Sequence, residues 1–355
     1  ILLEEANRKR GKTQIRPGES SSASGSGPEV GIFAPIEAIA EEFKGWHALL
    51  QGTENARPID TLLGDLGAIW MNRRDAEANP GPADAALPTL LNTLTRNNSR
   101  LPESLAAMMT RAEGDFRAGA SDSSIETMNR ALSDNITFTC RDTIASAYPF
   151  ADSSRSLSID NFTAFFGPGG AMDRYYNEYL DPYVNRTEDG LVWRDDKEIT
   201  KRLSVNTLKQ FERAEKIRRA FFAGNGSAPS VEITVAQVDA HPTIESAMLA
   251  INDTLVPTVT GSLPRTVIWP GTGKATLLQL QPTLDRKSDL RFEGSAWTFI
   301  DFLNAASSRQ QRGDTLRATY TIGGRNITYD FTINAIANPF TMPELKEFEC
   351  PQSVD

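Results

Sequence analysis

The tetrapeptide Gly-Thr-Gly-Lys at residues 271–274 is the segment that most resembles a phosphate-binding loop. The complete motif has a further Gly five positions before its last Gly, and a Ser or Thr directly after the Lys. Ile268 and Ala275 occupy those two positions in this sequence. Because both defining residues differ, we predict a turn between two strands and no phosphate site.

The sequence also shows no sign of a zinc site or of a serine hydrolase site. The two histidines, His47 and His241, lie far apart, and neither belongs to a Cys/His or His/carboxylate cluster of the kind that binds zinc. The sequence has no Gly-x-Ser-x-Gly segment and no recognisable Ser/His/Asp set. We therefore predict no catalytic residues, no metal ligands, no cofactor site and a protein that is not an enzyme.

A glycine-rich segment in the middle of the chain offers a second possible anion site. Gly167, Pro168, Gly169 and Gly170 precede a predicted helix, whose first backbone amides could bind an anion. Asp173, in the first turn of that helix, would repel the anion but suits the helix dipole. We predict a structural turn with a positive φ at one of the last two glycines, because two helices reverse direction there.

Aromatic residues surround this turn and predict how it packs. Pro149 has no amide hydrogen, so the helix that precedes it must end near Tyr148, with Phe150 just beyond. Phe165 and Phe166 close a short apolar helix before the glycines. The residues alone predict a packed helical corner.

Composition and charge restrict the class of protein. The 355 residues are 39% apolar and 23% charged, which is ordinary for a globular protein with room for two or three domains. The net charge of −9 argues against nucleic acid as a partner, because phosphate backbones bind basic surfaces. No apolar run approaches the roughly 20 residues that a membrane-spanning helix requires.

Helical patterns fill most of the first two thirds of the chain. Residues 1–28 include a Ser/Gly/Pro-rich tract that predicts a flexible segment or linker. Apolar residues then recur at three- and four-residue steps, which predicts helices as far as residue 222, with a loop around residues 186–191. We assign one helical domain to residues 29–120 and a second, which carries the corner, to residues 121–226.

The hydrophobic period changes after Gly226, where Val231, Ile233 and Val235 alternate with other residues as in a half-buried strand. Further strand-like runs occupy residues 244–251, 265–269, 275–280, 290–292, 316–322 and 327–333. Residues 323–326 predict a hairpin turn and residues 297–305 a short helix. The predicted fold class is α+β, with an N-terminal all-helical portion followed by a C-terminal β-sandwich with one short helix at residues 227–355.

The last predicted helix before the β-sandwich, at residues 203–221, is strongly amphipathic. Its outer face carries the basic residues Lys209, Arg213, Lys216, Arg218 and Arg219. A basic face could bind acidic partners, but glutamates interleave with these residues. We therefore predict an ordinary solvated helix face.

The order of several motifs resembles a known family. The motifs are Tyr-Pro-Phe (148–150), Gly-Pro-Gly-Gly (167–170), Phe-Phe (221–222), Trp-Pro-Gly (269–271), Gly-Ser-Ala-Trp-Thr-Phe (294–299), Asn-Pro-Phe (338–340) and Phe-Glu-Cys-Pro (348–351). In this order they resemble the C-terminal region of the large inner-membrane protein of type VI secretion systems, the IcmF/VasK/TssM family. The resemblance covers residues 140–351, and the earlier residues match only as helices.

The resemblance implies a structural part of an envelope-spanning membrane complex. In such a complex this region would lie in the periplasm and would dock an outer-membrane lipoprotein (TssJ-like) through its β-rich end. The membrane helices, the contact with the other inner-membrane component (TssL-like) and the family's nucleotide-binding domain are expected upstream, because the chain begins with Ile1 and no signal peptide. Homo-oligomerisation is expected in the assembled complex, and the interface residues within 227–355 are not identifiable.

Two other functions are compatible with parts of the sequence. A β-sandwich alone would suit a secreted carbohydrate-binding or adhesin-like module, although no predicted loop carries a cluster of aromatic residues. A hydrolase with an unrecognised site is the third hypothesis, and the sequence has no catalytic signature that favours it.

The two cysteines, Cys140 and Cys350, allow two interpretations. They could be unrelated buried thiols, since free cysteine packs as a small apolar residue. They could instead form one disulfide that ties the C-terminal tail to the helical corner, and the periplasm implied by the resemblance would permit such a bond. The even count fits both interpretations, and both remain open at this stage.

Overall fold

The computed structural model of the protein describes residues 34–53, 57–78, 87–98, 101–222, 226–258, 261–284, 287–335 and 337–355. The predicted linker at residues 1–28 lies outside these ranges. A helical portion is followed by a two-sheet sandwich with one short helix, which confirms the predicted fold class.

Four helices begin the described chain: α1 Ala34–Leu50, α2 Pro58–Ala78, α3 Leu87–Asn98 and α4 Glu103–Leu132. Helices α2, α3 and α4 enclose a small core of their own, made by Leu62, Ile69, Leu91, Leu94 and Met109. Helix α4 starts directly after Pro102 and runs without interruption past residue 120. The division at 120/121 stays a prediction, and one helix crosses it.

The chain directly after α4, which includes the corner at residues 148–173, is built from short helices. Two π-helical turns, Ser133–Thr137 and Cys140–Ile144, continue α4, and helical geometry ends four residues before Tyr148. Helices α5 Ile159–Phe166, α6 Ala171–Tyr175 and α7 Val205–Phe221 follow. The Ser158 and Ser204 hydroxyls cap α5 and α7 by accepting hydrogen bonds from the Asn161 and Thr207 amides, at 3.2 and 3.3 Å.

The predicted loop around residues 186–191 is instead a small hairpin. Strands β1 Val184–Thr187 and β2 Gly190–Trp193 pair antiparallel, with Arg186 opposite Leu191. Each strand has four residues, too few for alternation to be recognised in the sequence. Gly190 at the turn has φ +126°, which explains the glycine there.

The sandwich consists of two antiparallel sheets. The strands are β3 Val231–Ala240, β4 Ser246–Ile251, β5 Thr254–Thr258, β6 Arg265–Trp269, β7 Ala275–Gln281, β8 Asp289–Glu293, β9 Ser308–Arg312, β10 Thr315–Ile322 and β11 Arg325–Asn334. One sheet has the order β6-β3-β11-β10-β9 and the other the order β5-β4-β7-β8. Helix α8, Thr298–Asn304, follows β8 and packs on β7 and β8.

Two strands, β5 and β9, were not predicted from the sequence. β5 contains Pro257, which is unusual inside a sheet, and every residue of β9 is exposed, so that no apolar alternation marks it. Both are edge strands, where these features are tolerated because one side pairs with no neighbour. The other strands, the 323–326 hairpin turn and the short helix lie where the sequence places them.

A single buried core joins the corner to the sandwich. It extends from Ile125 in α4 to Val354 near the C-terminus and includes residues of both sheets and of α5, α6, α7 and α8. The helical corner and the sandwich therefore exclude water from the same volume. Their relative position is fixed by burial of apolar surface, the largest favourable contribution in folding.

The end of the chain folds back over the helices as a strap, defined here as residues 343–355. It begins with the short helix α9, Glu344–Glu347. Thr137 and Thr207 donate side-chain hydrogen bonds to the carbonyls of Pro351 and Ser353, at 2.9 and 2.6 Å. A disulfide between Cys140 and Cys350, with the Cα atoms 5.6 Å apart, fastens the strap to the π-helical turn.

We predict that this disulfide forms in protein produced in an oxidising compartment. The bond closes a loop of 210 residues, and its loss should lower the free energy of unfolding by about 2–5 kcal/mol. Urea unfolding with and without reductant measures the difference, and the double variant Cys140→Ser, Cys350→Ser is the control that reductant should not affect. Two freely alkylated cysteines in non-reducing peptide mapping would contradict the prediction.

Candidate functional site

The motifs that are far apart in the sequence meet in one buried cluster, which we name the aromatic seam: Phe162, Phe221, Trp269, Trp297 and Phe340. The Phe162 and Trp297 ring centroids are 5.2 Å apart, those of Trp269 and Trp297 5.0 Å, and those of Trp269 and Phe340 5.5 Å. All five side chains are buried. The seam is the place where the corner contacts the sandwich, and its edge-to-face and tilted pairs suit dense packing.

Both tryptophans of the seam also satisfy their indole N–H groups. Trp297 donates to the Leu157 carbonyl of the corner at 2.6 Å, and Trp269 donates to the Ala296 carbonyl at 2.7 Å. A buried N–H without a partner would cost about 1–3 kcal/mol. The Trp297 side chain therefore joins the sandwich to the corner by a hydrogen bond as well as by packing.

Asn252 holds the other end of this cluster, and sequence reasoning missed it. Its backbone has φ +45°, and its buried amide donates to the carbonyls of Pro270 at 2.5 Å and Ala296 at 2.9 Å. The Thr298 hydroxyl donates to its Oδ1 at 3.2 Å. Asn252 and Asp253 both have positive φ, as in a two-residue hairpin turn. The sequence signal for this turn was an Asn-Asp pair between two apolar runs.

The Gly-Thr-Gly-Lys segment at 271–274 connects β6 to β7, as predicted. Gly271 has φ +66°. The Asp253 carboxylate accepts a hydrogen bond from the Lys274 amide at 3.0 Å. An amide that would face phosphate in a nucleotide loop is thus already bonded to a carboxylate of the same chain.

The corner glycines are required for two different reasons. The turn closes with a 2.8 Å hydrogen bond from the Gly170 amide to the Gly167 carbonyl. Gly169 has φ +68°, in agreement with the prediction that one of the last two glycines is left-handed. Gly170 has an ordinary negative φ, but a β-carbon there would lie 2.8 Å from the Gly167 oxygen and 2.9 Å from the Phe165 oxygen.

Aromatic rings fill the space beneath this turn, as the sequence predicts for Phe165 and Phe166. Phe166 stacks on Phe150 with the centroids 5.2 Å apart and meets Phe348 of the strap at 5.1 Å. Tyr148, which precedes Pro149, is half-buried, and burial together with the nearby Asp301 carboxylate raises the pKa of its hydroxyl. These residues pack the corner against the strap.

Asp173 does more than the predicted helix-dipole contact. Its carboxylate accepts a hydrogen bond from the Gly169 amide at 2.8 Å and forms an ion pair with Arg218 of α7. The two side chains are only 19% and 23% exposed. Burial lowers the pKa of Arg218, assisted by the neighbouring Arg219 charge. The carboxylate thus fastens the corner turn to α7.

The prediction of a solvated basic face on α7 was therefore wrong for part of that face. Besides Arg218, Arg213 pairs with Glu347 of the strap at 3.0 Å, and Lys216 lies 3.0 Å from Glu212. The spacing of basic residues could not reveal that the strap supplies their partners. These three basic residues of α7 therefore form ion pairs within the protein.

A small cavity of about 20 Å³, enough for little more than one water molecule, lies beside this ion pair. Its lining residues come from α5, α6, α7, β1 and the turn after α6: Phe166, Met172, Asp173, Tyr176, Arg186, Phe211, Ala214, Glu215 and Arg218. Arg186 donates to both oxygens of Glu215 at 2.8 Å. Because each arginine of the lining already has a carboxylate partner, the cavity offers little free charge to a ligand.

The described part of the chain contains no group of three His, Cys, Asp or Glu side chains placed to hold a metal ion. His47 is exposed, and His241 forms a 2.9 Å hydrogen bond with the Thr243 hydroxyl. Among the described helices, none combines the length and apolar character needed to span a bilayer. The features that stand out in the described residues are thus the seam, the corner and the surface of the sandwich.

Comparison with known proteins agrees with this architecture. Residues 232–335 match the family model of the type VI secretion protein IcmF C2-like domain. The chain is 26% identical over 331 residues to the type VI secretion system component TssM1 of Pseudomonas aeruginosa. That alignment covers 90% of this chain and 30% of the relative, so the chain spans about a third of the relative's length.

Solved structures share the fold at low sequence identity. A T6SS protein TssM C-terminal domain (869–1107) from EAEC superposes with a TM-score of 0.54 at 17% identity, over 65% of this chain and 98% of that one. A type VI membrane complex gives a TM-score of 0.67 at 14% identity, over 90% and 67% of the two chains. A type VI secretion system membrane core complex gives 0.64 at 17% identity, over 89% and 70%.

The sandwich is thus a domain of the C2-like kind that the family model of the type VI secretion protein IcmF describes. The chain as a whole is similar to TssM1 and shares its fold with the TssM C-terminal domain.

We predict that Gly170→Ala destabilises the corner by about 1–3 kcal/mol, because the new methyl group meets backbone oxygens that cannot move independently. Gly169→Ala should cost about 1–2 kcal/mol through its left-handed backbone alone. Gly64→Ala is the control, since Gly64 lies in α2 with open space around it and alanine favours helix by about 1 kcal/mol. Equal unfolding midpoints for Gly170→Ala and the wild type would contradict this account.

Replacing Asp173 with Asn should destabilise the protein by about 1–3 kcal/mol, because it leaves the partly buried Arg218 without a counter-charge. The matched control is Asp152→Asn, because this carboxylate pairs with Lys346 while 96% exposed and its loss should change stability little. A double-mutant cycle with Arg218→Gln measures the coupling. Additive effects of the two single changes would show that the pair is not coupled.

Proposed function

We propose that this chain is a periplasmic structural segment of a type VI secretion membrane complex and that its sandwich docks an outer-membrane lipoprotein (TssJ-like). The observation that carries the proposal is the aromatic seam, which fixes the sandwich to the helices through buried Trp269 and Trp297. A segment that links two membranes must keep its docking domain at a defined position. A shared core does this better than a flexible linker.

The arrangement of charged groups also favours a structural role over catalysis. Catalytic sites gather titratable groups in a cleft with shifted pKa values and open access. In the cavity beside the corner the arginines are instead paired with Asp173 and Glu215. These groups stabilise the corner, and we propose that the chain is not an enzyme.

The alternative of a carbohydrate-binding or adhesin-like module receives no support from the sandwich surface. Sugar-binding proteins commonly stack exposed aromatic rings on the sugar. Among the described residues of 227–355, every aromatic side chain is buried except Phe292, which is half-buried. The rings of the sandwich serve its core.

Further partners follow from the same proposal. The other inner-membrane component (TssL-like) would be reached through parts of the protein upstream of this chain. Several copies of the chain would assemble in the complex. Nucleic acid is not among the proposed partners, since the net charge of −9 disfavours phosphate backbones.

We expect the whole chain to bind the soluble part of the outer-membrane lipoprotein encoded in the same gene cluster, with a dissociation constant of about 1 μM or lower, equivalent to about 8 kcal/mol. Isothermal titration calorimetry measures it. An outer-membrane lipoprotein from outside the cluster is the control.

The whole chain is the right reagent for this measurement. A cut near residue 226 would expose Trp297 and Phe340, which the corner covers through Phe162 and Phe221. No heat of binding for the correctly folded chain at concentrations well above 10 μM would overturn the proposed docking role.

A further inference from the structure

The sandwich has four edge strands, and they differ in how well they could accept another strand. By sheet order the edges are β6 and β9 in one sheet and β5 and β8 in the other. An edge strand has backbone N–H and C=O groups that pair with no neighbour, and proteins usually protect such edges with charge or proline. The four edges can be compared on this basis.

Three edges carry such protection. β9 is exposed throughout and contains Arg309 and Arg312. β8 carries three charges within five residues, at Asp289, Arg291 and Glu293. β5 contains a proline, which cannot donate a backbone hydrogen bond.

The fourth edge, β6, has less of this protection, since it contains one charged residue and no proline. Its sequence is Arg-Thr-Val-Ile-Trp, and it pairs with β3 on one side, with Ile268 opposite Glu232. Ile268 is outward-facing and 55% exposed. Arg265 is the one charged residue in the whole stretch 254–269, although 23% of the chain is charged.

Two further exposed apolar residues lie near β6, one because it precedes the strand in sequence and one because its own strand contacts β6. Leu263, two residues before β6, is 83% exposed, and Leu255 of β5 is 63% exposed. β5 contacts β6 where the two sheets meet. We name Leu255, Leu263 and Ile268 the apolar edge, and they are the three most exposed large hydrophobic residues of the described sandwich. Large exposed apolar side chains on two neighbouring edge strands are more frequent at interaction surfaces than elsewhere on a protein.

We propose that β6 is the strand to which the lipoprotein docks. In this inference, which rests on the proposed function above, an extended segment of the partner pairs with Arg265–Trp269 and continues the five-stranded sheet. Main-chain hydrogen bonds hold the segment, and its apolar side chains cover the apolar edge. The added strand removes both the unpaired backbone and the exposed leucines from water.

Charge distinguishes a different protein from a second copy as the occupant. Arg265 is exposed and forms no ion pair with another described residue. If β6 of a second copy paired with this strand, residues 254–269 of that copy would bring no acidic residue to neutralise this charge. The occupant is therefore a segment that is apolar and carries an acidic residue beside Arg265.

The test uses the whole chain, the lipoprotein from the same gene cluster, and two variants of β6. Ile268→Lys places a charge on the edge and should still fold, because the new ammonium lies opposite Glu232. Arg265→Glu reverses the charge that the partner is expected to meet. Each should weaken binding at least tenfold, and Arg265→Glu should also reduce the dependence of affinity on salt.

The control is Val192→Lys, which adds the same charge at an exposed apolar position of the β1–β2 hairpin and should leave affinity unchanged. Hydrogen exchange of the wild-type complex should show slowed amides within Arg265–Trp269. Unchanged affinity for both β6 variants, in a complex that still forms, would overturn β6 docking and leave the proposed function intact. Self-association of the free chain that Ile268→Lys abolishes would assign the edge to a second copy and would also overturn it. Failure of the wild-type chain to bind would remove the proposed function and this inference together.

Discussion

The burial of Trp297 is the constraint on which the rest of this structure depends. Its ring touches Phe162 of the corner and Trp269 of the sandwich, and its N–H is bonded to the Leu157 carbonyl. A large side chain with one polar atom tolerates few environments, because both its area and its hydrogen bond must be satisfied. The corner and the sandwich must therefore meet in one relative position. The Asn252 turn, which donates to the Ala296 carbonyl, holds the sandwich side of that position.

The backbone of the corner makes a tight turn that allows this position. Rings of α5 must approach both the seam and the strap, since Phe166 contacts Phe348 while Phe162 contacts Trp297. The chain then reverses so tightly that the Phe165 carbonyl oxygen of α5 would lie only 2.9 Å from a β-carbon on residue 170. Asp173 closes the turn by accepting from the Gly169 amide and pairing with Arg218. Packing, turn geometry and charge are thus parts of one arrangement.

Much of this fold could be predicted from sequence, because long elements carry repeated signals. Apolar periodicity located α7 and β11, and Pro149 with the glycines at 167–170 located the corner. Short or edge elements could not be found, because the four-residue strand β1 shows no period and β9 has no buried residue. The ion-pair partners of charged side chains could not be predicted from the sequence either. The spacing of Arg213 and Arg218 along a helix does not reveal that a strap and a turn bring carboxylates to them.

A joint of this kind has mechanical consequences for the structural role that we propose for this chain. Two domains joined by a polar interface move independently by default, since separating them exposes little apolar surface. Here separation would expose Trp297, Phe162 and Phe221 to water and break the Trp297 hydrogen bond. The cost of opening is therefore comparable to that of unfolding a core, and the strap fastened at Cys350 adds a covalent limit. Whatever the sandwich binds is consequently held at a fixed position and angle relative to the helices.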